Sequence, residues 1–160
     1  MNRLFFCFIF AFLFINFSLS AEIYFSPSKD CENLIINNIL SAKKELKILI
    51  YSLTNKNIAD AIKEVFNRKV DVKIIADRRQ GKIKNSLITS LVDHSIPIRI
   101  SKKVKIEHNK VSIIDKSRVI TGSYNYTHNA THNNSENCIL IKDTKRKYYN
   151  RFNQLWEYYE

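Results

Sequence analysis

Glycine and proline are scarce, with two of each in 160 residues. The prolines act as punctuation. Pro27 ends a first apolar stretch and Pro97 interrupts a later one, because proline removes a ladder donor. Cysteine is also rare. Cys7 sits inside the N-terminal apolar run, too early and in the wrong context for a lipid-attachment box, which leaves Cys31 and Cys138. There is no Cys-x-x-Cys pair and no Cys/His cluster, so the spacing of a zinc site is missing. No internal repeat and no low-complexity linker divides the chain, and its length leaves room for one domain. Acidic residues are in the minority, 15 Asp+Glu against 26 Lys+Arg, for a formal charge of +11. That balance favours polyanions, either nucleic acid or an anionic lipid surface. It also serves plain solubility. Past the N-terminal run no long apolar loop suits insertion into lipid.

Met1–Ala21 reads as an export signal. Arg3 supplies the positive start, Leu4 to Phe17 is almost unbroken apolar sequence, and Ser18-Leu19-Ser20-Ala21 offers small residues for cleavage. The run is short for a membrane span. Retained, residues 4–17 would anchor the protein to the inner membrane. The expectation is export to the periplasm or beyond, with the folded domain over residues 22–160. An oxidising compartment permits a Cys31–Cys138 disulfide. The alternative for Cys138, in an apolar strand, is a buried thiol.

From Glu22 onward strand and helix patterns alternate. Strands are expected over Glu22–Phe25, Leu46–Leu53, Val70–Ala76, Ile96–Ile100 and Asn137–Ile141. Helices are expected from Asp30 to about Lys44, from Thr54 or Asn55 through Phe66, over Lys84–His94 and over Thr144–Tyr159. Tyr148, Phe152, Leu155, Trp156 and Tyr159 stand at helical spacing and read as core. Asp77-Arg78-Arg79-Gln80-Gly81 and Thr127–Ser135 read as polar loops. His128 and His132 fall in the second, without a third ligand nearby, so no metal is expected there. The fold class is α/β, a mixed β-sheet sandwiched between helices.

The stretch His108–Asn125 carries the chemistry. Val111, Ile113, Ile114, Val119 and Ile120 suggest two short strands with a turn at Lys116-Ser117. Residues two apart on a strand share a face, so His108 and Lys110 point together and Asn109 turns away. A nucleophile or base beside a fixed cation is what attack on phosphate needs. Gly122 would let backbone approach a ligand closely. Ser123 and Asn125 would offer a hydroxyl and an amide to the same oxyanion, although Gly-Ser-x-Asn also makes a turn.

His108-x-Lys110-x4-Asp115-x6-Gly122-Ser123-x-Asn125 resembles the HKD motif of the phospholipase D superfamily. Gly122-Ser-Tyr-Asn-Tyr-Thr127, followed by Ser135-Glu136-Asn137, looks most like its small single-motif bacterial endonucleases. Ile48–Thr54 is similar to the family's first core strand. Arg68-Lys69-Val70 departs from the commoner Arg-Gly-Val, in a helix-to-strand turn. The resemblance implies His108 as nucleophile, Lys110 on the phosphate oxygens, and Glu136 on the other imidazole nitrogen. Asp115 would support the site, with turn capping as the alternative. Tyr51 and Ser52 would border it. One motif per chain implies a homodimer in which two His108 meet across one phosphorus. It also implies a covalent phosphohistidine, no cofactor and no metal.

Nucleic acid is the expected substrate, DNA first and RNA not excluded. Arg78, Arg79, Lys82, Lys84, Lys102, Lys103 and Lys105 supply cations near the presumed site. Tyr124 and Tyr126 could stack on unpaired bases, or anchor their loop in the core. Phospholipase D activity is the runner-up, with membrane contact otherwise only through the N-terminal anchor. A non-catalytic secreted nucleic-acid-binding module is the third reading.

Overall fold

The computed structural model describes residues 21–83 and 85–160. The export signal and Lys84 fall outside the described residues.

Seven strands form one sheet: β1 (Glu22–Ser26), β2 (Glu45–Ile50), β3 (Asp71–Asp77), β4 (Ile98–Ser101), β5 (Lys110–Ile114), β6 (Arg118–Gly122) and β7 (Glu136–Lys142). Their spatial order is β1-β7-β6-β5-β2-β3-β4. β2, β3 and β4 run parallel, and every other neighbour is antiparallel. The helices are α1 (Asp30–Leu40), α2 (Lys56–Asn67), α3 (Ile88–Asp93), α4 (His128–His132) and α5 (Lys147–Tyr158). This is the mixed, helix-flanked sheet that the alternating pattern predicts.

β2 lies inside the sheet, between β5 and β3, and is buried along its whole length. Leu46, Ile48 and Ile50 face the core beneath α1 and α2, together with Ile35, Ile39, Ile58, Ile62 and Val72. Leu49 faces the other way, where Phe152 and Leu155 of α5 and Tyr159 just after it pack on Val111, Ile113 and Val119. Alternation thus divides the strand between two cores. The α5 aromatics are core, as their spacing implies. Cys31 and Cys138 are bonded, with Cα atoms 5.8 Å apart, and tie α1 to β7.

Asn55 caps α2 by accepting the Ile58 N–H. α1 stops at Leu40, short of the expected Lys44, because the next amides have another acceptor. The N–H groups of Lys43, Lys44 and Glu45 all donate to the Asp115 carboxylate. β4 starts only after Pro97. The expected polar loop Thr127–Ser135 contains α4, too short for periodicity to betray, capped by Thr127 Oγ1 accepting from the Ala130 N–H. Asp115 and Lys116 both have positive φ, 49° and 69°, and the Ser117 N–H closes the turn onto the Ile114 carbonyl. Such a turn matches the twist of the β5–β6 hairpin.

Candidate active site

One edge of the sheet collects the C-terminal ends of β2, β3 and β6 and the N-terminal ends of β5 and β7. Lys110 opens β5 opposite Ile50. The Tyr51 N–H then donates to the Asn109 carbonyl at 3.1 Å, prolonging the pairing one step. His108 precedes the strand and is exposed. Its ring lies 4.7 Å, centroid to centroid, from that of Tyr51. The Lys110 ammonium sits 5.1 Å from the same Tyr51 ring and donates to the His108 carbonyl at 2.6 Å. His108 and Lys110 are therefore gathered on one aromatic ring, and Tyr51 does border the site.

Lys110 is buried, with 6% of its surface exposed. Burial pulls its pKa below the ordinary lysine value, while the charges of Glu136 and Glu107 pull the other way. A cation stripped of water without a full counterion is set to gain from an anionic ligand. Asn125 Oδ1 is buried and has no hydrogen-bond partner among the described residues. Such an orphan in a native fold calls for a reason, and a ligand-facing role is one.

Other expected site residues are placed differently. Asp115 closes the opposite end of β5, about 16 Å from Lys110 at the usual strand rise. Burial pushes its carboxyl up, but the N–H groups of Lys44, Glu45 and Lys43 and the Arg118 charge outweigh that and hold it below the ordinary value. Those partners make it a turn and strand cap, at the far end of β5 from Lys110. Glu136 does not hydrogen-bond the His108 ring. Its carboxylate accepts from Asn134 Nδ2 at 3.1 Å, and its charge reaches Lys110. Ser123 Oγ accepts the Asn137 N–H at 3.1 Å, which pins the loop to β7 and leaves its own proton free. Gly122 has φ 149°, and a Cβ there would lie 2.3 Å from the Asn137 carbonyl oxygen. The close approach that requires glycine is to β7, not to a ligand.

Tyr124 and Tyr126 cannot stack on bases, because each is 1% exposed. Their hydroxyls meet Thr131 Oγ1 and Ser112 Oγ, both at 2.6 Å. Burial pushes the Tyr124 phenol up to about 12 and raises that of Tyr126 further. They anchor the loop that carries Asn125. The basic group also divides. Arg78, Arg79, Lys82 and Lys105 line a cleft of about 450 Å³ with Ile106. Lys102 and Lys103 line a different one, of about 430 Å³, between β4 and the end of α5.

Three supporting residues escape a reading of the sequence. Asp77, fully buried, ends β3 and accepts the N–H groups of Arg79 and Glu107. Glu107 in turn accepts from both nitrogens of Asn109. Gln80, also buried, donates to the Tyr51 carbonyl and accepts from the Leu53 N–H and Ser86 Oγ. These groups fix the two segments bearing Tyr51 and His108. Asp77 and Gln80 bracket an arginine pair, which in sequence looks like a solvated loop. Only the sheet order brings that loop beside His108. The His128 and His132 rings lie with centroids 4.3 Å apart and planes tilted by 42°. Among the described residues no group of three or more His, Cys, Asp or Glu is placed to hold a metal ion.

The family described as "Cardiolipin synthase, PLD-like domain" matches residues 35–156. The chain is 38% identical over 121 residues to the "Phospholipase D" of Rickettsia prowazekii, covering 76% of this chain and 59% of that protein. It is 32% identical over 122 residues to the "Mitochondrial cardiolipin hydrolase" of Chlamydomonas reinhardtii, covering 75% and 55%. The chain thus spans less than two thirds of these relatives. Nuc from Salmonella typhimurium, a phospholipase D family member, superposes with TM-score 0.77 at 33% identity, covering 88% of this chain and 93% of that one. NucT from Helicobacter pylori superposes with TM-score 0.78 at 32% identity, covering 86% and 96%.

Proposed function

Because the chain belongs to the phospholipase D superfamily, we propose that it is a metal-independent phosphodiesterase, and within that chemistry a nonspecific endonuclease acting on DNA. The observation that carries this reading is the juxtaposition at Tyr51: an exposed imidazole and a buried ammonium on one ring, opening beside a cleft walled by four cations. The similarity in fold and length to Nuc and NucT supports the same choice.

One ring nitrogen of His108 attacks phosphorus, forming a P–N bond as the P–O bond to the leaving group breaks. A single imidazole cannot also protonate the departing oxygen on the far side. The reading therefore includes a homodimer, in which His108 of the partner subunit is that acid. The same partner imidazole then takes a proton from water, which attacks phosphorus and releases His108. Lys110 from each subunit neutralises the equatorial oxygens, the electrostatic work a divalent ion would otherwise do. Asn125 adds its amide. Export belongs to the reading too, and the Cys31–Cys138 bond supports an oxidising compartment. Among the described residues no helix is long and apolar enough to cross a membrane.

Phospholipase D activity is the second reading, favoured by the curated names of the Rickettsia relatives. The test is a panel run in excess chelator: single-stranded DNA, duplex DNA, RNA and phosphatidylcholine vesicles. Cleaved DNA with intact lipid supports the nuclease. Choline release without strand scission selects the lipase. Binding without turnover selects a non-catalytic module, and strict magnesium dependence defeats the mechanism.

A further inference from the structure

We propose that Arg79 forms a second phosphate-binding site, one step along the substrate from the phosphorus that His108 attacks. This rests on the nucleic-acid reading above. It deepens that reading by making the preferred substrate a chain of phosphodiesters rather than an isolated one.

Asp77 sets the arginine in place. Its Oδ1 accepts the Arg79 backbone N–H at 2.9 Å and Nε–H at 3.0 Å, while Oδ2 accepts the Glu107 N–H at 2.7 Å. That engages one edge of the guanidinium. Nη2 is buried and has no partner among the described residues. A buried donor left unpaired is costly, and an arriving anion would remove the cost. The guanidinium carbon lies 5.1 Å from the Tyr51 ring centroid, on the ring that also meets His108 and Lys110. Arg79 is thus one aromatic ring away from the reacting centre. It lines the cleft together with Arg78, Lys82, Lys105 and Ile106. Among the described residues no carboxylate lines that cleft. A planar fork held at one edge suits a phosphate better than a mobile lysine would. A lone diester can reach Lys110 and leave Arg79 unpaired, whereas a polymer fills both.

The experiment compares the full-length wild type with Arg79→Ala and Arg79→Lys on three probes: a single-stranded oligodeoxynucleotide, bis(p-nitrophenyl) phosphate, and cardiolipin vesicles, whose lipid carries two phosphodiesters. Arg79→Ala should lower kcat/KM on the oligonucleotide roughly 30-fold, mostly through KM, against about threefold on the small diester. The slope of log KM against log salt should flatten by about 0.7, as for one lost contact to a single strand. Arg79→Lys should keep the slope and recover part of the rate. Equal losses on both soluble probes, or an unaltered slope, would show that Arg79 only props Tyr51. Should Arg79→Ala fail to fold, Lys82→Ala with Lys105→Ala on the exposed wall must flatten the slope, and an unchanged slope overturns the subsite. Arg79-dependent cleavage of cardiolipin with the oligonucleotide intact overturns the polymer assignment. Wild type that hydrolyses the small diester but no polynucleotide sinks the nuclease reading. Wild type that cuts DNA, with the salt slope of Arg79→Ala the same as that of wild type, sinks the subsite alone.

Discussion

The two ends of β5 are built on opposite rules. At the Asp115 end a carboxylate is met by three backbone donors and an arginine, and every partner is supplied by the fold. At the Lys110 end a lysine is buried against its preference, and Asn125 Oδ1 and Arg79 Nη2 are buried with no partner among the described residues. Five residues separate a completed network from an incomplete one. The first is what stability requires. The second is what binding requires, since groups already satisfied internally gain nothing from a ligand. Polar satisfaction, more than residue type, separates the functional end from the structural one, even though both ends contribute letters to one motif.

The sharpest test of that contrast is His108→Ala. Removing the nucleophile should lower turnover by roughly 10⁴-fold or more, and the melting temperature should hardly move because His108 is exposed. Single-turnover assays and a thermal melt read both quantities, and a retained rate would remove the mechanism. Next comes Lys110→Met, which fills similar space without charge. It should cost about 10²–10³-fold in kcat and raise stability slightly, because a desolvated cation is gone. The depressed Lys110 pKa sets a related sign. The charged form is lost before that of a surface lysine, so the alkaline limb of activity should fall below the ordinary 10.5. Lys110→Arg should move that limb upward even as the rate drops.

Asp115→Ala is the opposite case. It strips the N–H groups of Lys43, Lys44 and Glu45 of their acceptor and should cost about 2 kcal/mol of stability, while the folded fraction keeps its kcat. Its pH dependence follows from the depressed pKa. The stabilisation is present above the unfolded value near 3.8 and is lost as pH falls through the lower folded value. Asp115→Asn should therefore flatten the acid limb of a denaturation profile. Loss of turnover with an unchanged melt would instead return Asp115 to the chemistry.

Layer architecture was legible because it depends on period. Apolar-rich β2, helical spacing in α5 and the β-branched hairpin each announce themselves within a few residues. His108 and Lys110 were legible because their spacing is local. What escaped depends on sheet order. Nothing within the Asp77–Gln80 loop says that β3 ends two strands from β5, so its arginines read as solvated charge. For Tyr124 and Tyr126 the sequence leaves base stacking and core anchoring both open, because alternation around Asn125 does not say which face is inside. The Leu53–Tyr126 bridge and the Thr131 and Ser112 partners settle that. Gly122 was rightly singled out but for the wrong neighbour, since the clash it avoids is with Asn137, which is 15 positions away in sequence.

The smallest expected effect concerns a residue at neither end. Lys69 stands where the resembling family more often has glycine, and its φ is 67°. A side chain in that left-handed region costs roughly 1–2 kcal/mol, partly offset because glycine loses more entropy on folding. Lys69→Gly should therefore raise stability by about 0.5–1 kcal/mol. The turn it occupies feeds β3, with the Lys69 and Val70 N–H groups donating to the Phe66 and Val65 carbonyls. β3 ends at Asp77, so the strain lies on the element that holds Arg79. If the strain stays local, denaturant titration should show the gain while kcat/KM on DNA is unchanged. A gain in stability with a change in salt slope would mean that the two ends of β3 are coupled, and the division between structural and functional ends would not extend beyond β5.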